Sequence, residues 1–212
     1  MSTIDDLFAL IKILRTRCPW DIKQTPLSMC TYLLNETYEL IDAIENKNSI
    51  PDIKEELGDV IFQLFFIASL YEEKGIFSFA EALTEVKEKM VRRHPHIFTD
   101  RKINDLEELY VVWDDIKQKE KPGKILDDIP INLPALLKAQ KTGKKHSKAY
   151  PETSYGNLEN LDVLYKKTLT TESPEAYGEF LMALALWGVD KGLEAESLLR
   201  QAIDRFQKEA PQ

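Results

Sequence analysis

Several features that mark common classes of protein are scarce in this chain of 212 residues. It has only two cysteines, Cys18 and Cys30, which are too few for a disulfide framework, so a reducing compartment is expected. The longest apolar stretch, from Val60 to Leu70, contains Gln63 and is too short to span a bilayer. The amino terminus lacks the basic and apolar segments of a signal peptide. We therefore expect a cytoplasmic protein with no membrane partner.

Positive charge is also scarce, with 28 lysines and arginines against 36 acidic residues and a net charge of -8. Such a balance disfavours a general nucleic-acid binder, so no stable nucleic-acid partner is expected. The three histidines form no zinc-type cluster with the cysteines and support no Ser-His-Asp arrangement. No Gly-rich phosphate loop ending in Gly-Lys-Ser or Gly-Lys-Thr occurs, which disfavours ATPases of that class.

The hydrophobic pattern that remains is helical almost throughout. Thr25-Pro26 is a helix-start signal, and the helix that follows is predicted to reach about Glu45. A second helix is predicted from about Ile53 to Lys74, and its apolar second half indicates a central, enclosed element. No segment shows the sustained alternation of a β-sheet protein. The sequence therefore predicts an all-α fold.

Two pairs of carboxylates lie on these two predicted helices. Glu36 and Glu39 are three residues apart, as are Glu56 and Asp59, so each pair occupies one helical face. Either pair alone would more often belong to a solvated helix face. Two pairs on adjacent helices favour a cation site, and oxygen ligands suit Mg²⁺, which in turn suits phosphate substrates. Gln63 lies on the same line as Glu56, two turns later, and is either a ligand contact or the partner of a buried neighbour.

The second half of the chain contains a faded copy of the first. The segment from Glu55 to Ile61 resembles the segment from Glu175 to Leu181, but Ala176 stands where the first copy has Glu56. We expect a catalytic domain over residues 1–145 and a degenerate second helical domain over residues 146–212. The second domain would serve in packing or oligomerisation.

Several motifs, in this order, resemble those of the MazG nucleoside triphosphate pyrophosphohydrolases. They are Cys18-Pro19-Trp20-Asp21, Gln24-Thr25, Glu36-Thr37-Tyr38-Glu39, Glu56-Leu57-Gly58-Asp59, Arg92-Arg93-His94-Pro95-His96-Ile97-Phe98, Trp113 with Lys117, and Leu126-Asp127-Asp128-Ile129-Pro130. The hallmark of the family is Glu-x-x-Glu followed, after a short connection, by Glu-x-x-Asp. The match runs to about Ala139 and weakens beyond it.

The resemblance implies a MazG-like helical bundle that forms a dimer and hydrolyses nucleoside triphosphates to monophosphate and pyrophosphate with Mg²⁺. It assigns the metal-ligand and catalytic roles to Glu36, Glu39, Glu56 and Asp59. The chain departs from the family at Asn35, where a further glutamate is usual.

The substrate-binding candidates lie mostly beyond the carboxylates. Arg93 could hold phosphates through its bidentate fork, although a cation at a helix end is as readily explained by the helix dipole. Trp113 is a candidate for base contact on the resemblance, with Lys117 one turn away, and Gln63 completes the set. Trp20 and Trp187 are expected to be core residues.

Two alternative functions remain open at this point. One keeps the site but restricts the substrate to a single deoxynucleotide such as dUTP or dCTP. The other is a catalytically inactive helical interaction protein, motivated by the degenerate copy and by Asn35.

Overall fold

The computed structural model describes residues 3–120, 129–150 and 158–209, and within them every regular element is a helix. The chain divides into two compact units, residues 1–116 and 117–212. The Leu126-to-Asp128 part of the last motif lies outside the described residues. Among the described helices, none has the length and apolarity needed to cross a membrane. The all-α prediction is confirmed.

The helices of the first unit begin with local capping signals. They are α1 (Thr3–Arg17), a short 3₁₀ helix (Asp21–Lys23), α2 (Pro26–Glu45), α3 (Ile50–Glu73), α4 (Phe79–Arg93), α5 (Pro95–Phe98) and α6 (Leu106–Glu120), which crosses into the second unit. Thr25, Ser49 and Ser78 each accept a hydrogen bond from the backbone N–H three residues later, and the side chain at that later position returns one. These reciprocal capping boxes set where α2, α3 and α4 begin.

The core of the first unit forms where α1, α2 and α3 meet. Its buried members are Ile11, Met29, Phe65, Phe66 and Leu70. The second half of α3 supplies three of these five, as its apolar pattern predicted. Phe65, Phe66 and Leu70 lie along one side of α3, and part of the opposite side is exposed.

The residues left open on α3 include Leu57, Ile61 and Leu64, which lie on one face at helical spacing. The prediction of an enclosed second half of α3 therefore holds for only part of its circumference. Within the part of the chain that the structure describes, these three side chains are 38–47% exposed.

The second unit contains α7 (Ala135–Ala149), α8 (Leu158–Thr171), α9 (Pro174–Asp190) and α10 (Ala195–Glu209). Helix α9 packs against both α7 and α8, and α10 packs against α7. Gln140 of α7 is buried and holds this arrangement together. Its Nε2 donates to the carbonyl oxygens of Ala185 and Leu193, and its Oε1 accepts from the backbone N–H of Ala195.

The boundary between the units differs in position from the predicted domain boundary. The sequence placed it between residues 145 and 146, whereas the packing divides the chain between residues 116 and 117. The physical reason is that α7 lies against α9 and α10 and so belongs with them. The division into a catalytic domain and a degenerate copy stays a prediction.

The two copies of the faded sequence repeat bury their residues in the same order. Along α3, residues 63–68 are in turn buried, exposed, buried, buried, half-buried and buried, and residues 183–188 of α9 show the same order. The two stretches are 120 positions apart, the same spacing as Glu55 and Glu175. At this spacing, Ala176 takes the position of Glu56 and is fully buried.

Candidate metal centre

Three of the four predicted carboxylates converge where α2 and α3 pack together. One carboxylate oxygen each from Glu36, Glu56 and Asp59 can be chosen so that all three lie within 4.8 Å of one another. Glu36 comes from α2 and the other two from α3, so the site depends on the pairing of the two helices. The donor set fits a hard divalent cation, because all three donors are carboxylate oxygens; Glu36 and Glu56 are half-buried and Asp59 is exposed.

Glu39 lies outside this group of three but is electrostatically close to it. Partial burial, followed by the charges of Glu39 and Asp59, raises the pKa of Glu36 above its ordinary value of 4.5. Desolvation and then the charges of Glu39, Asp59, Glu36 and Glu55 likewise raise the pKa of Glu56. Like charges held this close favour the protonated form or a bound cation.

Gln63 is joined to the same cluster. Its Nε2 donates to Oε1 of Glu36 at 3.4 Å, and the hydrogen bond partly offsets the rise in the pKa of Glu36. The side chain is 8% exposed, and its Oε1 has no hydrogen-bond partner among the described residues. Gln63 therefore contacts the same group of carboxylates as Glu56, as its position two turns after Glu56 suggested.

The remaining predicted substrate contacts lie at the end of α4 and along α6. Arg93 is the last residue of α4, and the next residue, His94, packs edge-on against Trp113 with ring centroids 4.7 Å apart. Nδ1 of His94 is hydrogen-bonded to the carbonyl oxygen of Met90, which fixes the ring. Lys117 is exposed and lies past the end of the first unit, so its relation to the carboxylates stays a prediction.

One aromatic prediction is wrong. Trp20 is not a core residue, because it is 46% exposed and packs edge-on against Tyr32 with centroids 5.2 Å apart. Trp187 is half-buried. Tyr32 precedes Glu36 by four residues, one helical turn, so the aromatic pair lies next to the acidic cluster along α2. That four-residue spacing was visible in the sequence and could have identified Tyr32, but not its contact with Trp20.

The loop that carries Trp20 is held firmly in place. The Arg15 guanidinium donates to the carbonyl oxygens of Asp21 and Gln24, and it forms a double hydrogen bond with Glu73 at 2.9 and 2.8 Å. Gln24 in turn donates to the carbonyl oxygen of Trp20. The exposed indole is thus presented by a hydrogen-bonded loop between α1 and α2.

Comparison with known proteins identifies the family of the chain. Residues 24–98 match the family model of the MazG nucleotide pyrophosphohydrolase domain, and this range contains all four carboxylates, Gln63 and Arg93. The chain is 34% identical over 226 residues to the nucleoside triphosphate pyrophosphohydrolase of Escherichia coli strain K12, covering 98% of this chain and 86% of the relative.

Two further relatives extend the comparison. The nucleoside triphosphate pyrophosphohydrolase/pyrophosphatase MazG of Thermotoga maritima is 34% identical over 219 residues, covering 96% of this chain and 84% of that protein. The uncharacterized protein YabN of Bacillus subtilis is 44% identical over 130 residues, covering 60% of this chain and 26% of that protein. The chain therefore belongs to the MazG family of nucleotide pyrophosphohydrolases, hydrolases that act on phosphoanhydride bonds.

Proposed function

We propose that this protein hydrolyses nucleoside triphosphates to the monophosphate and pyrophosphate, with Mg²⁺ held by Glu36, Glu39, Glu56 and Asp59. The observation that carries the proposal is the convergence of three carboxylates from two helices within 4.8 Å. A bound Mg²⁺ would neutralise the triphosphate and activate a water for attack on the α-phosphorus.

The four carboxylates are proposed to bind the cation and to accept a proton from the attacking water. Glu36, Glu56 and Asp59 are close enough to share one cation, while Glu39 stands just outside that group and is exposed. Glu39 belongs to the proposed ligand set from this outer position, and as an exposed carboxylate it also suits the general base that accepts the proton of the attacking water. Glu56 is the other candidate for this step, because its raised pKa brings it closer to the working pH.

The predicted substrate-binding residues carry the charge and the aromatic surface that a nucleotide requires. Arg93 and Lys117 supply positive charge for the phosphates, and Trp113, braced by His94, supplies an aromatic surface for the base. The exposed pair formed by Trp20 and Tyr32 offers a second surface on which a base could stack, one turn from Glu36.

The working form proposed is a homodimer in the cytoplasm. The open face of α3 that carries Leu57, Ile61 and Leu64 supports the dimer, because an apolar stripe at helical spacing on a packed helix suits a partner helix. The cytoplasmic setting is supported by Cys18 and Cys30, which are both free.

A panel of ribo- and deoxynucleoside triphosphates tests the activity and its breadth. Purified protein with Mg²⁺ should release pyrophosphate, and a single active deoxynucleotide in the panel would support the narrower alternative. Release of orthophosphate alone, or of no product, would contradict the proposal; the second outcome would support the interaction protein.

Two substitutions test the ligands in the same assay. Glu36→Gln and Asp59→Asn should each lower turnover by at least about 100-fold while the helical circular-dichroism signal is kept. Glu107→Gln, which changes an exposed acid in the first turn of α6, is the matched control and should retain full activity. Full activity in either ligand variant would refute the assignment.

A further inference from the structure

The first unit buries a glutamine whose hydrogen-bonding capacity is only half used. Gln63 is more than nine-tenths buried, and its Oε1 has neither a solvent contact nor a hydrogen-bond partner among the described residues. A buried carbonyl oxygen without a donor destabilises the folded state, because its hydrogen bond to water is lost on folding and is not replaced. The fold therefore bears a cost at this position that an apolar side chain would avoid.

The orientation of the amide follows from its neighbour. An ionised carboxylate only accepts hydrogen bonds, so the amide must turn its N–H group toward Oε1 of Glu36. That choice leaves the amide oxygen of Gln63 without a donor. The N–H group of Gln63 therefore donates to Glu36, and its amide oxygen can still accept a hydrogen bond.

Gln140 of the second unit shows what a structural buried glutamine looks like in this chain. It is 2% exposed, and both ends of its amide are satisfied by backbone groups of Ala185, Leu193 and Ala195 at 2.7–3.2 Å. Gln63 makes no comparable set of backbone contacts. The two residues are buried to a similar degree, yet only Gln140 connects neighbouring helices through its full amide.

The repeat gives independent evidence on the role of Gln63. Residue 183 takes its position in the second unit, and there the residue is alanine, 3% exposed. The same unit has Ala176 at the position of Glu56. The helical packing therefore accepts a methyl group at this position, and the amide is present only in the unit that keeps the carboxylates.

We propose that Gln63 is a positioning residue of the cation site. Its N–H group holds the Glu36 carboxylate toward Glu56 and Asp59, and its buried oxygen accepts a hydrogen bond from the hydration shell of the bound cation. Mg²⁺ keeps several waters when bound by proteins, so a bound cation would bring a donor to a buried acceptor beside its ligands. The inference rests on the proposed function, since it requires the cation site.

Gln63→Met tests this proposal, because methionine has a similar length and volume but makes no hydrogen bond of this kind. With Mn²⁺ as the probe, isothermal titration calorimetry should show binding weakened by about tenfold, the range typical for groups that orient metal ligands. In EDTA, the melting temperature should be unchanged or higher, since the unpaired acceptor has been removed.

Gln140→Met is the matched control. It should lower the melting temperature in EDTA and leave Mn²⁺ binding as in the wild type. Gln63→Ala copies the residue found at position 183 and gives a second variant should the methionine not fold.

The outcomes separate this inference from the proposed function. If Gln63→Met binds Mn²⁺ as tightly as the wild type, or if its melting temperature falls as that of Gln140→Met does while binding is kept, the positioning role is wrong and the site stands. If the wild type binds no Mn²⁺, or Asp59→Asn binds it equally well, the cation site itself is wrong and the role of Gln63 falls with it.

Discussion

At Glu36 and Glu56, the ionised carboxylate that suits a cation destabilises the fold when no cation is bound. Both have a raised pKa, which means that the folded chain without cations holds their protons more tightly than the unfolded chain does. Between the ordinary value of 4.5 and the raised pKa, the native state binds more protons. Their contribution to stability is therefore present at low pH and is lost as the pH rises through the raised pKa.

This sign gives a prediction for Glu36→Gln. In EDTA at neutral pH the variant should melt at a higher temperature than the wild type, because it removes a charge that is partly desolvated and repelled by Glu39 and Asp59. The gain should shrink as the pH is lowered toward 4.5, where the wild-type carboxyl becomes protonated. Thermal unfolding at a series of pH values measures the difference.

The control for this prediction is the same titration with saturating Mg²⁺. There the order at neutral pH should reverse, because the wild type binds the cation in its folded state and the variant has lost a ligand. A variant that melts below the wild type in EDTA at neutral pH would show that repulsion in the cluster does not destabilise the fold.

At the scale of single residues, the sequence predicted the features that depend on spacing within one helix. The three-residue spacing of each acidic pair and the seven-residue step from Glu56 to Gln63 are properties of one helix, and the structure has both. The exposure of Trp20 was not predictable in this way. It depends on a loop held by Arg15 and Glu73, which are far apart in sequence.

At the scale of elements, helix α7 lies so close to α9 that a side chain at one position would have to displace a neighbour. A Cβ atom added at Gly143 would overlap the side chain of Leu186, which is itself buried. Gly178, in α9, has nothing within 4 Å of the same construction, and no close approach requires it to be glycine. The two glycines therefore differ in role although both lie inside helices.

The pair supports a matched prediction. Gly143→Ala should destabilise the protein by about 1–3 kcal/mol through overpacking against Leu186. Gly178→Ala should stabilise it by about 0.5–1 kcal/mol, because alanine loses less backbone entropy in a helix. Urea unfolding followed by the helical signal measures both, and equal effects of the two substitutions would contradict the close approach of α7 and α9.

The helices themselves were largely predictable, and the errors lie at their ends and in their packing. Helix α3 begins at Ile50, three residues before the predicted Ile53, because the capping box of Ser49 and Asp52 starts it earlier than the apolar pattern does. The open face of α3 was not predicted, since its pattern is apolar nearly all round. Periodicity shows which side chains are apolar but does not show which of them find a neighbour.

At the scale of the whole molecule, the two units hold related helical pairs with different chemistry. In the second unit Glu179 takes the position of Asp59, but it forms an ion pair with Lys167 at 2.9 Å. An ammonium group thus stands beside this carboxylate in the second unit, whereas carboxylates cluster in the first. The sequence predicted the lost ligand at Ala176, and the partner of Glu179 became visible only once α8 and α9 were packed together.

The repeat therefore predicts in which half activity resides. Asp59→Asn should abolish nucleotide hydrolysis, whereas Glu179→Gln, the equivalent change in the second unit, should leave kcat and KM unchanged. Because the ion pair of Glu179 is about half exposed, its loss should change stability by less than about 1 kcal/mol. Loss of turnover in Glu179→Gln with Asp59→Asn still active would place the chemistry in the other half.

The capping boxes at the starts of α2 and α3 have a consequence for how the family can vary. Thr25 precedes Glu36 by eleven residues, and Ser49 precedes Glu56 by seven and Gln63 by fourteen, which are close to three, two and four full turns. The number of residues between a cap and a site residue therefore sets the direction of that residue around the helix axis. One residue inserted between a cap and its carboxylate would swing that group by about 100°, whereas insertions in the connecting loops leave the phase untouched.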